Sequence, residues 1–254
     1  MRVILIVLDT LRLEHLGCYG YTRPTSPNID RLAQQGSLFT RCYATDVPTI
    51  PSFTALLSGQ SGIRTGKVSF NATEIFPTDL PWLPNHLAKA DYTTAAVSTL
   101  YHMGPHFSRG WHYYLNPMAG ARERTQTVDA EEINAFALDW LRRFHKEDFF
   151  LFVHYWDPHV ESVWGGGHPV PRYKAPEAFK KLYYPGEPKD LGDTEYVISQ
   201  YDANITYADQ EIGKLLDTIG ELGIADETLV IFTTDHGENL MQEHVGATEK
   251  WDHS

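Results

Sequence analysis

The 254-residue chain has few cysteines and no long apolar run. Its two cysteines, Cys18 and Cys42, form no CxxC pair and are too few for a disulfide framework. We expect both to be buried thiols without a chemical role. The longest aliphatic stretch, residues 3–8, is too short to span a bilayer or to act as a secretory signal. These absences predict a cytoplasmic protein that does not act at a membrane.

Positive charge is also scarce in this sequence. Lys and Arg number 21 against 33 Asp and Glu, so the formal net charge is −12 at pH 7. Such an acidic chain lacks the overall positive charge that is typical of a protein that binds nucleic acid or anionic lipid. An anionic substrate would therefore need local positive charge, from a metal ion or a few converging side chains. The twelve histidines make a metal or proton-transfer site worth seeking.

The chain does contain a regular alternation of apolar strands and amphipathic helices. The pattern predicts buried strands over residues 3–8, 93–99, 149–156 and 228–233. It predicts helices between residues 26 and 36, between 53 and 57, and over 129–146 and 212–222. Such alternation is typical of an α/β fold with a mostly parallel central sheet flanked by helices.

The domain organisation is simple, because no repeat or linker divides residues 1–254, which we interpret as one domain. Residues 161–193 show no periodicity and are rich in Gly, Pro, Tyr and Lys. Loops of this length inside a compact domain often serve as functional lids.

Polar side chains follow three of the predicted strands where each strand ends. They are Asp9, then Asp157 and His159, then Asp235 and His236. Ligands of parallel α/β sheets bind at the carboxyl ends of the strands, so these side chains mark a candidate site. Two carboxylates and an imidazole are ligands that Zn²⁺ or Mn²⁺ accepts. The alternative is that each Asp is only a helix N-cap.

A hydroxyl group stands ahead of the second predicted helix, in the segment Thr49-Ile50-Pro51-Ser52-Phe53-Thr54. A hydroxyl at the start of a helix lies near free N–H groups and the positive end of the helix dipole. That position suits an anionic intermediate. An ordinary Ser/Thr N-cap remains the alternative interpretation.

Taken together, these features resemble the sulfatase family within the alkaline phosphatase superfamily. The similarity covers nearly the whole chain as a series of motifs in family order. The motifs are Leu8-Asp9-Thr10-Leu11-Arg12, Gly17-Cys18-Tyr19-Gly20-Tyr21, Thr25-Ser26-Pro27-Asn28-Ile29-Asp30-Arg31-Leu32-Ala33, Pro51-Ser52, Leu57-Ser58-Gly59, Phe152-Val153-His154-Tyr155-Trp156-Asp157-Pro158-His159, Tyr201-Asp202-Ala203-Asn204-Ile205 and Thr234-Asp235-His236-Gly237-Glu238.

The resemblance implies one divalent metal ion and a set of residues around it. The implied metal ligands are Asp9, Thr49, Asp235 and His236. Thr49 stands at the family's nucleophile position, and His159 stands where a histidine contacts the ester or protonates the leaving oxygen. His253, and after it Lys250, fall where the family supplies a side chain to the substrate anion. For both, a solvated terminal side chain is the alternative.

The sequence departs from sulfatases at three positions. Sulfatases proper have Cys or Ser at position 49, converted to formylglycine, whereas Thr49 cannot form that aldehyde. Phe53 replaces the Arg of the same motif. Because a threonine ester lacks a second hydroxyl that could expel sulfate, position 49 favours phosphorus esters over sulfate esters as substrates. Thr10 replaces an Asp, which together with His236 favours zinc or manganese, with calcium and magnesium as alternatives.

The leading hypothesis is metal-dependent hydrolysis of a small anionic sulfate or phosphate ester through a covalent Thr49 intermediate. One alternative is a catalytically inactive sulfatase-like protein that binds an anion or a metal. The other is a phosphoryl-group transferase. Neither nucleic acid nor a membrane is an expected partner. Since the family usually continues with more sheet, the chain is expected to lack the usual C-terminal part, and its exposed sheet edge would allow homo-oligomers to form.

Overall fold

The structure is a computed structural model that describes residues 1–69, 75–118, 128–160, 173, 175–189 and 193–240. Its strands are β1 (Arg2–Leu8), β2 (Thr93–Val97), β3 (Tyr113–Leu115), β4 (Phe149–Tyr155) and β5 (Thr228–Thr233). Its α-helices are α1 (Pro27–Gln35), α2 (Thr49–Ser58), α3 (Gly62–Thr65), α4 (Leu83–Lys89), α5 (Ala130–Phe144), α6 (Glu177–Lys180) and α7 (Thr194–Glu221). In these ranges no helix has the length and apolar character needed to cross a bilayer.

The five strands form one sheet in the order β3-β2-β4-β1-β5, and every neighbouring pair is parallel. This confirms the predicted α/β class. Strand β1 lies between β4 and β5, with Val7 opposite His154 on one side and Thr233 on the other. The carboxyl ends of the three adjacent strands β4, β1 and β5 therefore lie at the same edge of the sheet.

The sheet is buried on both faces. Along β1, Ile4, Ile6 and Leu8 belong to one apolar core, and Leu5 and Val7 belong to the other. Helices α1, α5 and α7 cover the first face, and α2 and α4 cover the second. Burial on both faces explains why β1 is a continuous apolar run rather than an alternating one.

The structure moves two of the predicted boundaries near the candidate site. Helix α2 begins at Thr49, four residues before the apolar stretch from which it was predicted, so Thr49 lies in its first turn. Pro51 is compatible with this position, because an N–H in the first turn has no partner within the helix. Strand β2 ends at Val97 rather than at residue 99.

Helix α7 is much longer than predicted, with 28 residues from Thr194 to Glu221. Only its second half has a clean apolar stripe. The part of the helix before residue 212 buries polar side chains, among them Asp202, Asn204 and Asp209. These residues find polar partners within the described chain, and this pairing is what lets a polar segment pack as a helix.

Two smaller predictions concern exposure. Cys42 is exposed and Cys18 is only partly buried, so the expectation of two buried thiols is wrong.

Strand β5 pairs only with β1 among the described strands. Leu229 and Ile231 of that strand are 50% and 41% exposed. Homo-oligomer formation at this edge stays a prediction.

Candidate active site

The ends of β1 and β5 bring three predicted side chains together with the start of α2. Asp9, Asp235 and His236 each offer a ligand atom, and these atoms all lie within 4.8 Å of one another. The Thr49 Oγ1 atom lies 3.2 Å from His236 Nε2. All four residues are buried, at 3% exposure or less. The structure thus gathers Asp9, Thr49, Asp235 and His236 around one point.

The Asp235 carboxylate is held by backbone amides. Its Oδ1 atom accepts hydrogen bonds from the amides of Thr10, at 3.0 Å, and His236, at 2.8 Å. Thr10 has a φ of 53°, in the left-handed region that a β-branched residue rarely adopts. Backbone strain of this kind is concentrated at functional sites. Here the left-handed residue is the one whose amide N–H donates to Asp235.

The His236 ring has a defined tautomer. Its Nδ1 atom lies 2.9 Å from the Gly237 carbonyl, which can only accept, so Nδ1 carries the proton. In the neutral ring, Nε2 then presents a lone pair towards Thr49 Oγ1 and towards Asp235 Oδ2 at 3.2 Å. A lone pair facing a carboxylate oxygen is unfavourable unless a proton or a cation lies between them. The geometry therefore calls for positive charge at this point.

The electrostatics point the same way. Burial, with the nearby Asp235 and Glu238 charges, raises the pKa of Asp9 well above its usual value. Burial also raises the pKa of Asp235, and burial together with Asp235 raises the pKa of Glu238 to about 8. Within the described chain, Asp9 Oδ1 and Thr10 Oγ1 are buried without a hydrogen-bond partner. Buried charges in proteins are paired or coordinate metals, so this donor set fits a divalent cation.

The start of α2 is tied to the loop that carries Asp235. The Ser52 hydroxyl donates a 2.8 Å hydrogen bond to the Asp235 carbonyl oxygen. This bond fixes the first turn of α2, and therefore Thr49, relative to the end of β5. The sequence motif containing Ser52 indicated a helix start but not this contact.

The whole chain, residues 2–254, matches the family model named Sulfatase. The chain belongs to the sulfatase family. Among curated sulfatases it is 24% identical to human iduronate 2-sulfatase over 312 residues, covering 93% of this chain and 54% of that protein. The chain spans about half the length of the curated relatives it matches.

Solved structures show that the fold, too, is that of the sulfatase family. The phosphonate monoester hydrolase SpPMH from Silicibacter pomeroyi superposes with a TM-score of 0.69 at 18% identity, covering 98% of this chain and 64% of that one. The C-terminal periplasmic domain of EcEptC from Escherichia coli, solved in complex with Zn, gives a TM-score of 0.68 at 17% identity, covering 95% and 65%.

The remaining predicted sulfatase residues are placed less completely. His159 follows β4 at the same edge of the sheet and is partly buried. Its Nδ1 atom lies 2.6 Å from the Val160 carbonyl, which can only accept, so Nδ1 carries a proton. Lys250 and His253 lie outside the described residues, and their roles stay predictions.

His154 contacts the candidate site, and sequence analysis assigned it no role. Its Nε2 atom lies 3.1 Å from Asp9 Oδ2, and the residue is fully buried. Burial lowers the pKa of His154 to about 3, with a further contribution from His159, so the ring is neutral. The signal in the sequence was a histidine within an otherwise apolar and aromatic strand.

Tyr201 of α7 supports the strained turn beside Asp235. Its hydroxyl donates to the Thr10 carbonyl at 2.7 Å and accepts from the Arg12 amide at 2.8 Å. We expect Tyr201→Phe to lower the free energy of unfolding by about 1–3 kcal/mol, because both backbone groups lose a buried partner. Urea denaturation measures this change. Tyr207→Phe is the control, since it removes only a longer bond of 3.3 Å to the Glu131 amide; equal losses in the two variants would contradict the expectation.

Proposed function

We propose that this sulfatase-family protein is a metal-dependent hydrolase of small anionic sulfate or phosphate esters, with Thr49 as the nucleophile. The proposal depends on one observation. The Thr49 hydroxyl lies 3.2 Å from His236 Nε2, within a buried cluster that also contains Asp9 and Asp235. A hydroxyl so placed has the surroundings in which weak nucleophiles are activated.

The metal ligands in this proposal are Asp9, Thr49, Asp235 and His236. A divalent ion bound there favours the alkoxide form of a neighbouring hydroxyl and stabilises negative charge as the ester bond breaks. The His236 imidazole supports zinc or manganese. Thr10 supports the same ions, because it replaces a further carboxylate that would favour calcium. The EcEptC domain bound to Zn is a precedent for that ion in this fold.

The reaction assigned to these residues has two stages. In the first, the Thr49 hydroxyl loses its proton to solvent, its oxygen bonds to the phosphorus or sulfur atom, and the bond to the alcohol oxygen breaks. His159, in its protonated imidazolium form, donates from Nε2 the proton that the departing alcohol needs, and it regains a proton from solvent. In the second, water attacks the substituted Thr49, releases the inorganic anion and restores the hydroxyl.

Threonine at position 49 favours phosphate over sulfate esters. A threonine ester has no second hydroxyl through which sulfate could be expelled by elimination, so water must attack the phosphorus or sulfur atom directly. Phosphate monoesters and diesters are suited to that route in enzymes with a hydroxyl nucleophile. We therefore expect faster turnover of aryl phosphates than of the matching aryl sulfates.

The test combines elemental analysis of the purified protein with assays on matched aryl phosphate and aryl sulfate esters. The expected result is about one equivalent of zinc or manganese per chain and turnover of the phosphate ester. Bound metal without any turnover would support the alternative of an inactive relative. That alternative is favoured by Phe53, which replaces the Arg of the family motif. Product that forms only when an acceptor alcohol is added would support a transferase. A folded protein that binds no metal would contradict the proposal.

A further inference from the structure

His154 is the last residue but one of β4, in the sequence Phe-Phe-Leu-Phe-Val-His-Tyr, and its side chain is wholly buried. Burying an imidazole among apolar groups costs free energy unless both ring nitrogens find partners. The chemistry assigned above to Thr49 and His159 makes no use of this ring. The contacts of its two ring nitrogens show what the buried imidazole does.

The two nitrogens connect Asp9 to the end of β2. His154 Nε2 lies 3.1 Å from Asp9 Oδ2, and Nδ1 lies 3.2 Å from the Ser98 hydroxyl. Ser98 Oγ also accepts a 3.1 Å hydrogen bond from the Leu100 amide. The result is a continuous hydrogen-bonded chain that runs from a backbone amide to a carboxylate.

The direction of the hydrogen bonds follows from the groups at the two ends. When Asp9 is ionised, as a carboxylate that binds a cation must be, it can only accept, so the ring proton is then on Nε2 and points to Asp9. Nδ1 then accepts from the Ser98 hydroxyl, whose oxygen is free to accept from the Leu100 amide. Each group in the chain donates and accepts in agreement with its neighbours, so the arrangement is satisfied in one tautomer only.

Aromatic side chains hold the ring in this orientation. The centroid of the His154 ring lies 4.6 Å from that of Phe53 and 4.7 Å from that of Trp156. The Trp156 indole is itself fixed by a hydrogen bond from Nε1 to the Thr99 hydroxyl. Because these rings pack against the imidazole, it cannot turn away from Asp9 without opening a cavity in a close-packed core.

We infer that His154 is a positioning residue that holds Asp9 Oδ2 through a hydrogen bond and so leaves Oδ1 as the oxygen that faces the cation. This inference deepens the proposed function and depends on its metal site. Of the two Asp9 oxygens, Oδ1 is the one that is buried without a hydrogen-bond partner among the described residues. Partners of metal ligands fix ligand orientation, and their loss typically weakens metal affinity by about 10–100-fold.

The first measurement uses the protein loaded with zinc, so that Asp9 is ionised. Long-range ¹⁵N–¹H NMR of the histidine rings reports which nitrogen carries the proton. The expected result is a neutral His154 ring protonated on Nε2, and the Ser98→Ala variant is expected to weaken that preference. A ring protonated on Nδ1 would overturn the inference, because it could not donate to Asp9.

The second measurement is a titration of zinc or manganese into two matched variants. His154→Gln keeps an N–H donor near the position of Nε2, whereas the shorter His154→Asn cannot reach Asp9. We expect the Gln variant to bind the metal within about threefold of the wild type and the Asn variant to bind it about 10–100-fold more weakly. Equal affinities in both variants, each confirmed as folded by circular dichroism, would overturn the inference.

A control variant and the wild type separate the ways in which this test can fail. His106→Gln changes another histidine in an aromatic environment, whose ring stacks on Phe76 at 5.2 Å and contacts the Thr54 hydroxyl rather than a carboxylate. It is expected to leave metal affinity unchanged. If the wild type binds no metal, the proposed function fails. If the wild type binds metal and the Asn variant binds it equally well, only the role of His154 fails.

Discussion

Replacing Thr49 by alanine is expected to lower kcat on an aryl phosphate ester by about 10³- to 10⁶-fold, the range seen when an enzyme loses its nucleophile. The physical reason is that the variant cannot form the bond to phosphorus that divides hydrolysis into two easier steps. Asp9, Asp235 and His236 remain as three of the four proposed ligands, so the variant is expected to retain its metal. Steady-state kinetics together with elemental analysis measure both quantities.

The matched control for this prediction is Thr49→Ser. Serine keeps the hydroxyl at the start of α2 and loses only a methyl group, so it is expected to retain a measurable fraction of the activity and to form the same ester with the enzyme. Mass spectrometry of a rapidly quenched reaction would detect that ester. If the alanine variant, with its metal, kept more than a tenth of the wild-type kcat, Thr49 could not be the nucleophile.

Replacing Asp235 by asparagine is expected to change stability in opposite directions with and without metal. In the metal-free wild type, Asp235 Oδ2 lies 3.2 Å from His236 Nε2, and the Asp235 charge raises the pKa of the buried Asp9 and Glu238 carboxyls. In Asp235→Asn an amide nitrogen can occupy that position and donate to His236, while the remaining oxygen still accepts from Thr10 and His236. Without metal the variant is therefore expected to melt at a higher temperature than the wild type.

With metal present, the order is expected to reverse. A free metal concentration a hundredfold above the dissociation constant stabilises the folded protein by about 2.7 kcal/mol, which is roughly 5–10 °C in Tm for a domain of this size. The Asp235→Asn variant loses a charged ligand and is expected to show little of this increase. Thermal melts with chelator and with added metal measure both effects.

Asp209→Asn is the control for the stability prediction. Asp209 is another buried aspartate, but its carboxylate accepts from the Asn28 and Ile29 amides at the start of α1, away from the site. Any change in its Tm should be the same with and without metal. A metal-induced increase in Asp235→Asn equal to that of the wild type would show that Asp235 is not a ligand.

Much of the fold could be predicted from local sequence patterns. The apolar run before Asp9 is buried on both faces of a parallel sheet, and a strand of that kind has a continuous apolar sequence. The stripe from Ile133 to Phe144 predicted α5 to within two residues at each end. The part of α7 before residue 212 was missed because its buried face is polar. Helices are predicted from the spacing of apolar residues, and that spacing gives no sign of buried polar side chains whose partners lie far along the chain.

The candidate site divides in the same way. Polar residues after parallel strands meet at one edge of the sheet, which predicted that Asp9, Asp235 and His236 belong together, and the family resemblance added Thr49. The contact between His154 and Asp9, the bond from Ser52 to the Asp235 carbonyl and the left-handed Thr10 could not be predicted. Each depends on the position of one side chain or one backbone group relative to a distant segment.

By itself, therefore, the sequence determined the class of fold, the edge of the sheet where chemistry is to be sought and the residue types available there. Tertiary structure alone decided which atoms face one another. Parallel pairing sets Val7 opposite His154, and this register carries the imidazole to the Asp9 carboxylate 145 residues away in the chain. Residue types and their periodicity are local properties, whereas a hydrogen-bond partner is set by strand register and packing across the whole core.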